Sequence, residues 1–192
     1  LSVLIIRNLD INFLYNSILI TAAFYLFFIT LRDFFHRKYR NLSQITAHFS
    51  FSILILSILF NNIFSSEVIT NLKINETYQA QNLKINFESI EQENKQNFKA
   101  IKGKFIVEDQ SGLIEVMQPE LRIYNQPNIV TSEADIKTNI FTDKFMTMNY
   151  VQNQDYFNIR YQVKPFMIWI WISTILLCVS GCLTLIIKRY EN

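Results

Sequence analysis

The apolar stretch at residues 42–66, LSQITAHFSFSILILSILFNNIFSS, decides the fold of this chain. Its one titratable side chain is His48, and its length exceeds the roughly 20 residues that a helix needs to cross about 30 Å of hydrocarbon. Two further stretches, at residues 11–31 and 166–187, carry no charged residue. Because a helix satisfies its own backbone hydrogen bonds in lipid and an open strand does not, the three stretches predict three transmembrane helices.

The first of these helices has an alternative interpretation. Asn12 and Asn16 make its first half polar, which is also typical of a buried helix or of one that lies at the membrane interface.

Basic side chains flank the stretches: Arg32, Arg37, Lys38, Arg40, Lys188 and Arg189. By the positive-inside rule, we expect both ends of the chain on the cytoplasm-like side, which is the matrix in a mitochondrion. The net charge of +2, without a basic run interleaved with aromatics, indicates no nucleic-acid partner.

The polar middle of the chain alternates apolar and polar residues, with β-branched and aromatic residues in the apolar positions. This pattern predicts six to eight short strands in an antiparallel sandwich or barrel-like domain. Gly112, in EDQSG, is available for a positive φ in a hairpin connection, and Pro119 and Pro127 are expected at the ends of the strand between them.

The fold class is therefore an integral membrane protein of α + β type, with an antiparallel β-rich soluble domain inserted between the second and third transmembrane helices. Four segments follow in order. They are residues 1–41 with the first helix and a basic matrix-side loop, 42–66 with the second helix, 67–164 with the β-rich domain, and 165–192 with the third helix and a matrix-side tail.

The β-rich domain contains no His and no Cys. This removes the usual metal sites, cysteine nucleophiles and imidazole bases from it. Its carboxylates, including the pair Glu108 and Asp109 and those within residues 88–93, are expected on a solvated face. The chain has only 3 Gly, too few for a glycine-rich phosphate loop, so a hydrolase or a phosphotransferase is disfavoured.

Cys178 and Cys182 lie four residues apart within the third apolar stretch. On a helix they share a face and cannot form a normal disulfide with each other. We interpret them as small apolar residues at a helix contact.

His48 has three possible roles. It can extend to the membrane interface, form a hydrogen bond across a helix contact, or bind a metal or haem iron from within the helices. Among metal sites, haem iron is favoured because it needs only one or two protein ligands, whereas zinc takes three or four. Apolar neighbours such as Phe49, Phe51 and Ile55 would then cover the porphyrin edge. His36, in the basic loop, is expected to be solvated.

Five sequence blocks follow one another along the chain: AHFSFSILILS, FKAIKGKF, PELRIY, TSEADI and KPFMIWIWI. In order and spacing they resemble the C-terminal part of CcmF, a family of cytochrome c-type biogenesis proteins that act as haem lyases. The resemblance runs from Thr46 to the C-terminus. His48 matches the family histidine that is an axial ligand of a membrane-buried haem b, and the second axial ligand is then expected from another chain. The Trp-rich haem-handling segment of the family lies outside the part that this chain resembles.

The resemblance implies the C-terminal subunit of a cytochrome c haem lyase, which needs a partner chain for activity. The expected partners are the N-terminal part of the lyase on a separate chain, apocytochrome c, other inner-membrane subunits and membrane lipid. With 17 Phe against 3 Gly, the composition is that of an A+T-rich genome, which suggests an organellar gene. Together with the resemblance, this implies a split mitochondrial gene and the mitochondrial inner membrane. The positive-inside rule then puts the β-rich domain in the intermembrane space. The alternative is a non-catalytic structural subunit of an inner-membrane complex.

Overall fold

The structure, a computed structural model, describes residues 13–36, 42–80, 83–109, 112–151 and 154–191, with side chains outside 13–16, 36 and 186–191. These residues form two compact units. The first unit is helical and comprises the described residues up to Phe64 and from Pro165 onwards, and the second comprises Ser65–Lys164. The basic residues Arg37, Lys38 and Arg40, and the side chains of His36, Lys188 and Arg189, lie outside what is described.

The helical unit contains three helices within the described residues. They are α1 (Phe13–His36), α2 (Leu42–Phe64) and α3 (Met167–Glu191). Each includes a segment that is long and apolar enough to cross a membrane: Ser17–Phe35, Leu42–Phe64 and Met167–Leu185. The prediction of three membrane-spanning helices is therefore confirmed, and the first is as good a candidate as the others.

Small hydroxyl side chains form the contact between α2 and α3. Ser43, Ser50 and Ser57 recur every seventh residue and are buried, because seven residues make about two helical turns and return to the same face. The Ser43 hydroxyl donates to the backbone oxygen of Ser180 at 2.6 Å. At the other end of α2, the Asn61 amide donates to the backbone oxygen of Pro165 at 2.6 Å. The two helices therefore run antiparallel and approach closely.

Aromatic rings join α1 to a second side of α2. Phe49 stacks with Phe27 and Phe34, with ring centroids 5.8 and 6.0 Å apart. Between these contacts the hydroxyls of Thr30 and Ser52 lie 3.3 Å apart, which gives each a polar partner inside the helix pair. α2 is thus the central helix of the described bundle.

The second unit is a sandwich of two antiparallel sheets. Its strands are β1 (Ser66–Leu72), β2 (Thr77–Ala80), β3 (Leu83–Asn94), β4 (Phe98–Glu108), β5 (Ile114–Met117), β6 (Glu120–Tyr124), β7 (Val130–Glu133), β8 (Asp135–Thr138), β9 (Thr142–Tyr150) and β10 (Phe157–Pro165). One sheet has the order β1-β10-β9-β8, and the other has the order β2-β3-β4-β6-β7 with β5 also paired to β4. The antiparallel β-rich domain is confirmed.

Alternate side chains of both sheets fill the space between them. The Phe87 and Phe105 rings stack at 4.3 Å, and Met146 and Met148 from the other sheet complete the buried cluster with them. Gly103 lies against this cluster, since a Cβ there would be 2.6 Å from the Phe105 ring and 2.8 Å from the Met148 sulfur. The core therefore requires a residue without a side chain at this position of β4.

The loop predictions were largely confirmed, and the number of strands was underestimated. Gly112 has a φ of 73°, and its amide donates to the backbone oxygen of Asp109 at 3.0 Å. Pro119 and Pro127 lie just outside the two ends of β6. The structure has ten strands within the described residues. Asn75, with a φ of 66°, divides the LKINETY segment between β1 and β2, and the short strands β7 and β8 add two more.

Candidate functional site

His48 lies in the second turn of α2 and is exposed at the surface of the described helices. It also lines a small notch between α1 and α2. An imidazole has a nitrogen on each side of its ring, so one side chain can contact the notch and the surroundings of the bundle at once. The structure therefore leaves His48 accessible to a group outside the helices.

The notch is polar although it lies between two apolar helices. It has a volume of about 150 Å³ and is lined by Thr30, Asp33, Gln44, Ile45 and His48. Asp33 is half-buried, and its Oδ1 lies 3.2 Å from the Arg32 guanidinium. Ionisable side chains within membrane spans are costly, and a carboxylate and an imidazole in one notch therefore mark a candidate site.

The donor set of the notch suits a ligand that needs few bonds from this chain. Within the described residues, no three side chains of the types His, Cys, Asp and Glu are grouped closely enough to hold a metal ion. Zinc requires three or four such ligands, whereas haem iron takes one or two protein axial ligands. The volume of about 150 Å³ is also below the roughly 300–1,000 Å³ of a typical ligand pocket. The residues present fit a haem group, to whose iron His48 would supply one ligand.

The aromatic neighbours of His48 have different roles. Phe49 stacks between α1 and α2, so its ring already serves the contact between those helices. Phe51 is 49% exposed, and its ring is accessible from outside the bundle. Of the two phenylalanines expected beside a porphyrin, Phe51 has the more accessible ring.

The cysteines do not lie in the contact between α2 and α3. Cys178 and Cys182 are free thiols on the exposed side of α3. Ser173 and Ser180, on the other side of the helix, are buried. The interpretation of the cysteines as residues of a helix contact is therefore wrong for the described bundle, because the hydroxyls of Ser43 and Thr184 bond to each other and leave the cysteine face outward.

A charged centre inside the sandwich was missed by the sequence reasoning. The Lys144 ammonium lies 2.7 Å from Glu115 and 3.3 Å from Asp109, and only 10% of its side chain is exposed. Asp109 was expected on a solvated face, and this is wrong because its carboxylate turns inward to Lys144. Burial tends to lower the pKa of Lys144, but the hydrogen bonds to Glu115 and Asp109 and the nearby negative charges together outweigh it and leave the pKa above its usual value. The adjacent Tyr161 is buried, and burial raises its pKa to about 12.

Comparison with known proteins identifies the sandwich. A family model described as "CcmF C-terminal beta-sandwich" matches residues 63–165. The cytochrome c-type biogenesis protein ccl1 of Rhodobacter capsulatus is 29% identical over 120 residues, which are 62% of this chain and 18% of that protein. CcmF of Pseudomonas aeruginosa is 22% identical over 145 residues, which are 76% of this chain and 22% of that protein.

A solved structure has the same fold. The protein titled "Cytochrome c Heme Lyase CcmF" superposes with a TM-score of 0.57 at 16% identity, covering 72% of this chain and 23% of the other. The chain therefore spans about a fifth of the length of the relatives that it matches.

Proposed function

The chain belongs to the CcmF C-terminal β-sandwich family, and from this premise we propose that it is the C-terminal subunit of a cytochrome c haem lyase. In this role it helps to hold a haem b in the membrane and presents its β-sandwich for haem attachment to apocytochrome c. The observation that carries the proposal is His48, an exposed imidazole on the helix that leads directly into the family sandwich.

His48 would hold the haem iron through the lone pair of one ring nitrogen. The other nitrogen would take a hydrogen bond that selects the tautomer and the ring orientation. When bound, the haem supplies one-electron redox chemistry. A second iron ligand and the remaining walls of the haem site would come from the chain that supplies the N-terminal part of the lyase.

The β-sandwich would contact apocytochrome c or other maturation components from the intermembrane space. We place the chain in the mitochondrial inner membrane and infer that its gene is one part of a split lyase gene. Basic residues near the membrane-spanning segments support a matrix location for both termini. Cleavage of residues 67–164 by protease added to the matrix side, and protection on the other side, would contradict this orientation.

An optical spectrum tests the haem proposal. The membrane assembly is purified through an affinity tag on this chain, with His48→Ala and His36→Ala compared against the unaltered protein. We expect a b-type spectrum that is lost with His48→Ala and kept with His36→Ala, the matched control at the other histidine. A spectrum that survives His48→Ala contradicts the ligand role.

A structural subunit is the second candidate function. It is favoured by the β-rich domain, which contains no His and no Cys and therefore none of the usual metal ligands or cysteine nucleophiles. In this case the assembly contains no haem b, and His48→Ala leaves its composition and spectrum unchanged. The same purification therefore separates the two functions.

A further inference from the structure

We propose that Asp33 is the positioning residue for His48: the carboxylate orients the imidazole through hydrogen bonds in the notch that both residues line. This inference rests on the proposed function and adds the group that controls its ligand. Asp33 belongs to α1 and His48 to α2, so the site depends on the pairing of these two helices.

The helix contacts place the two side chains at the same level of the bundle. α1 and α2 run antiparallel, with Phe34 stacked on Phe49 and the Thr30 hydroxyl 3.3 Å from that of Ser52. Asp33 lies between the two contact residues of α1, and His48 is next to Phe49. Both side chains line the same notch of about 150 Å³.

An ion pair with Arg32 is the simplest alternative role for Asp33. Two hydrogen bonds from Arg32 go to Oδ1, at 3.4 and 3.2 Å, and the Arg32 side chain is 67% exposed. Exposed ion pairs contribute little to stability, so this pair alone does not account for a half-buried carboxylate on an apolar helix. Hydrogen bonding to the other polar side chains of the notch, among them His48, would explain why the Asp33 carboxylate lies there.

The other lining groups suit a hydrogen-bonded network. Thr30 and Gln44 add a hydroxyl and an amide to the carboxylate and the imidazole. The notch has room for several water molecules, and a bridging water is nearly as favourable as a direct hydrogen bond. A carboxylate that accepts the ring N–H of a histidine leaves the other nitrogen as an acceptor for iron, and it makes that nitrogen more basic. Asp33 would thereby present the correct nitrogen to the outside.

Nitrogen NMR of the chain without haem tests this positioning directly. The chain has two histidines, so in a His36→Ala background a ¹⁵N-histidine label reports on His48 alone. We expect one dominant tautomer at alkaline pH, a mixture of tautomers with Asp33→Ala, and recovery of the single tautomer with Asp33→Glu. The control Thr21→Val lies on the same helix outside the notch and should change nothing. An unchanged tautomer ratio in Asp33→Ala overturns the proposal.

The assembly with haem provides a second readout. With Asp33→Asn, the loss of negative charge near the ligand should favour reduced iron by roughly tenfold, a rise of about 59 mV for a one-electron couple. Haem retention should fall roughly 10- to 100-fold with Asp33→Ala, and Thr21→Val should retain haem normally. A potential and a retention that do not change overturn the inference while the haem site stands. If no haem is present, the proposed function fails, and the tautomer experiment still decides the role of Asp33.

Discussion

The buried position of Lys144 makes a strong prediction for the stability of the sandwich. Lys144→Met leaves Asp109 and Glu115 facing each other without the ammonium between them. Removing one partner of a buried ion pair costs about 3–5 kcal/mol, and the partial exposure of the two carboxylates, 29% and 23%, reduces this to about 2–3 kcal/mol. Lys104→Met is the matched control, since its 2.8 Å contact with Glu88 is similar but 38% of the lysine side chain is exposed. A much smaller loss is expected there, because exposed ion pairs contribute little to stability.

Pulse proteolysis in urea measures both changes on the full chain in detergent micelles. With an m-value near 1 kcal/mol/M, Lys144→Met should lower the unfolding midpoint by about 2–3 M. Lys104→Met should lower it by much less. Equal midpoints for the two variants would refute the reasoning, because burial is the property that distinguishes the two lysines.

Three further predictions concern alkaline stability, core packing and helix pairing. The pKa of Tyr161 is raised to about 12, so the stability that its neutral side chain gives the fold is complete below pH 10 and is lost as the pH rises through 12. The unaltered protein should lose about 2 kcal/mol of unfolding free energy over this range. Urea titrations at each pH measure this loss, and Tyr161→Phe should remove most of it. Gly103→Ala should destabilise the sandwich by about 1–3 kcal/mol, because its Cβ overlaps the Phe105 ring, and a midpoint within error of the unaltered protein would contradict the packing argument. Ser50→Leu should separate α2 from α3, whereas Cys178→Leu should not; cross-linking between cysteines introduced into the two helices measures this, and equal yields would count against the serine contact.

The architecture followed from features that are local in sequence. Long uncharged stretches predict spanning helices, and alternation predicts strands, so both units could be recognised before any contact was known. Strand number depended on a local exception, since Asn tolerates the positive φ that Asn75 adopts and therefore ends a strand where the apolar pattern continues. β7 and β8 lack a clear apolar alternation, and they form through their pairing with β6 and β9.

The charged centre of the sandwich had a signal that could have been used. Lys144 is in phase with Met146 and Met148 on β9, and residues two apart on a strand point to the same face. The alternation therefore predicts a lysine directed at the core, and a buried lysine requires a carboxylate partner. The identity of the partners, Asp109 and Glu115, depends on the pairing of distant strands and could not be read from spacing.

The two notch residues differ in how far the sequence indicated them. His48 is conspicuous because it is the one titratable side chain in a long apolar stretch. Asp33 sits beside a basic run and reads as part of a polar connection. The structure extends α1 to His36, which brings Asp33 onto the helix that pairs with α2. Its significance depends on a contact between helices, and no local pattern reports such a contact.

The pairing of β1 with β10 has a consequence for folding during translation. Ser66 is opposite Val163, so the first strand of the sandwich to leave the ribosome has the last strand as its neighbour in the sheet. Until β10 has emerged, β1 lacks its partner in this sheet, and an unpaired strand edge can pair with other chains. The four-stranded sheet is completed only when translation has passed β10 and reached the final membrane crossing. A polypeptide interrupted before Phe157 would therefore leave β1 without its partner strand.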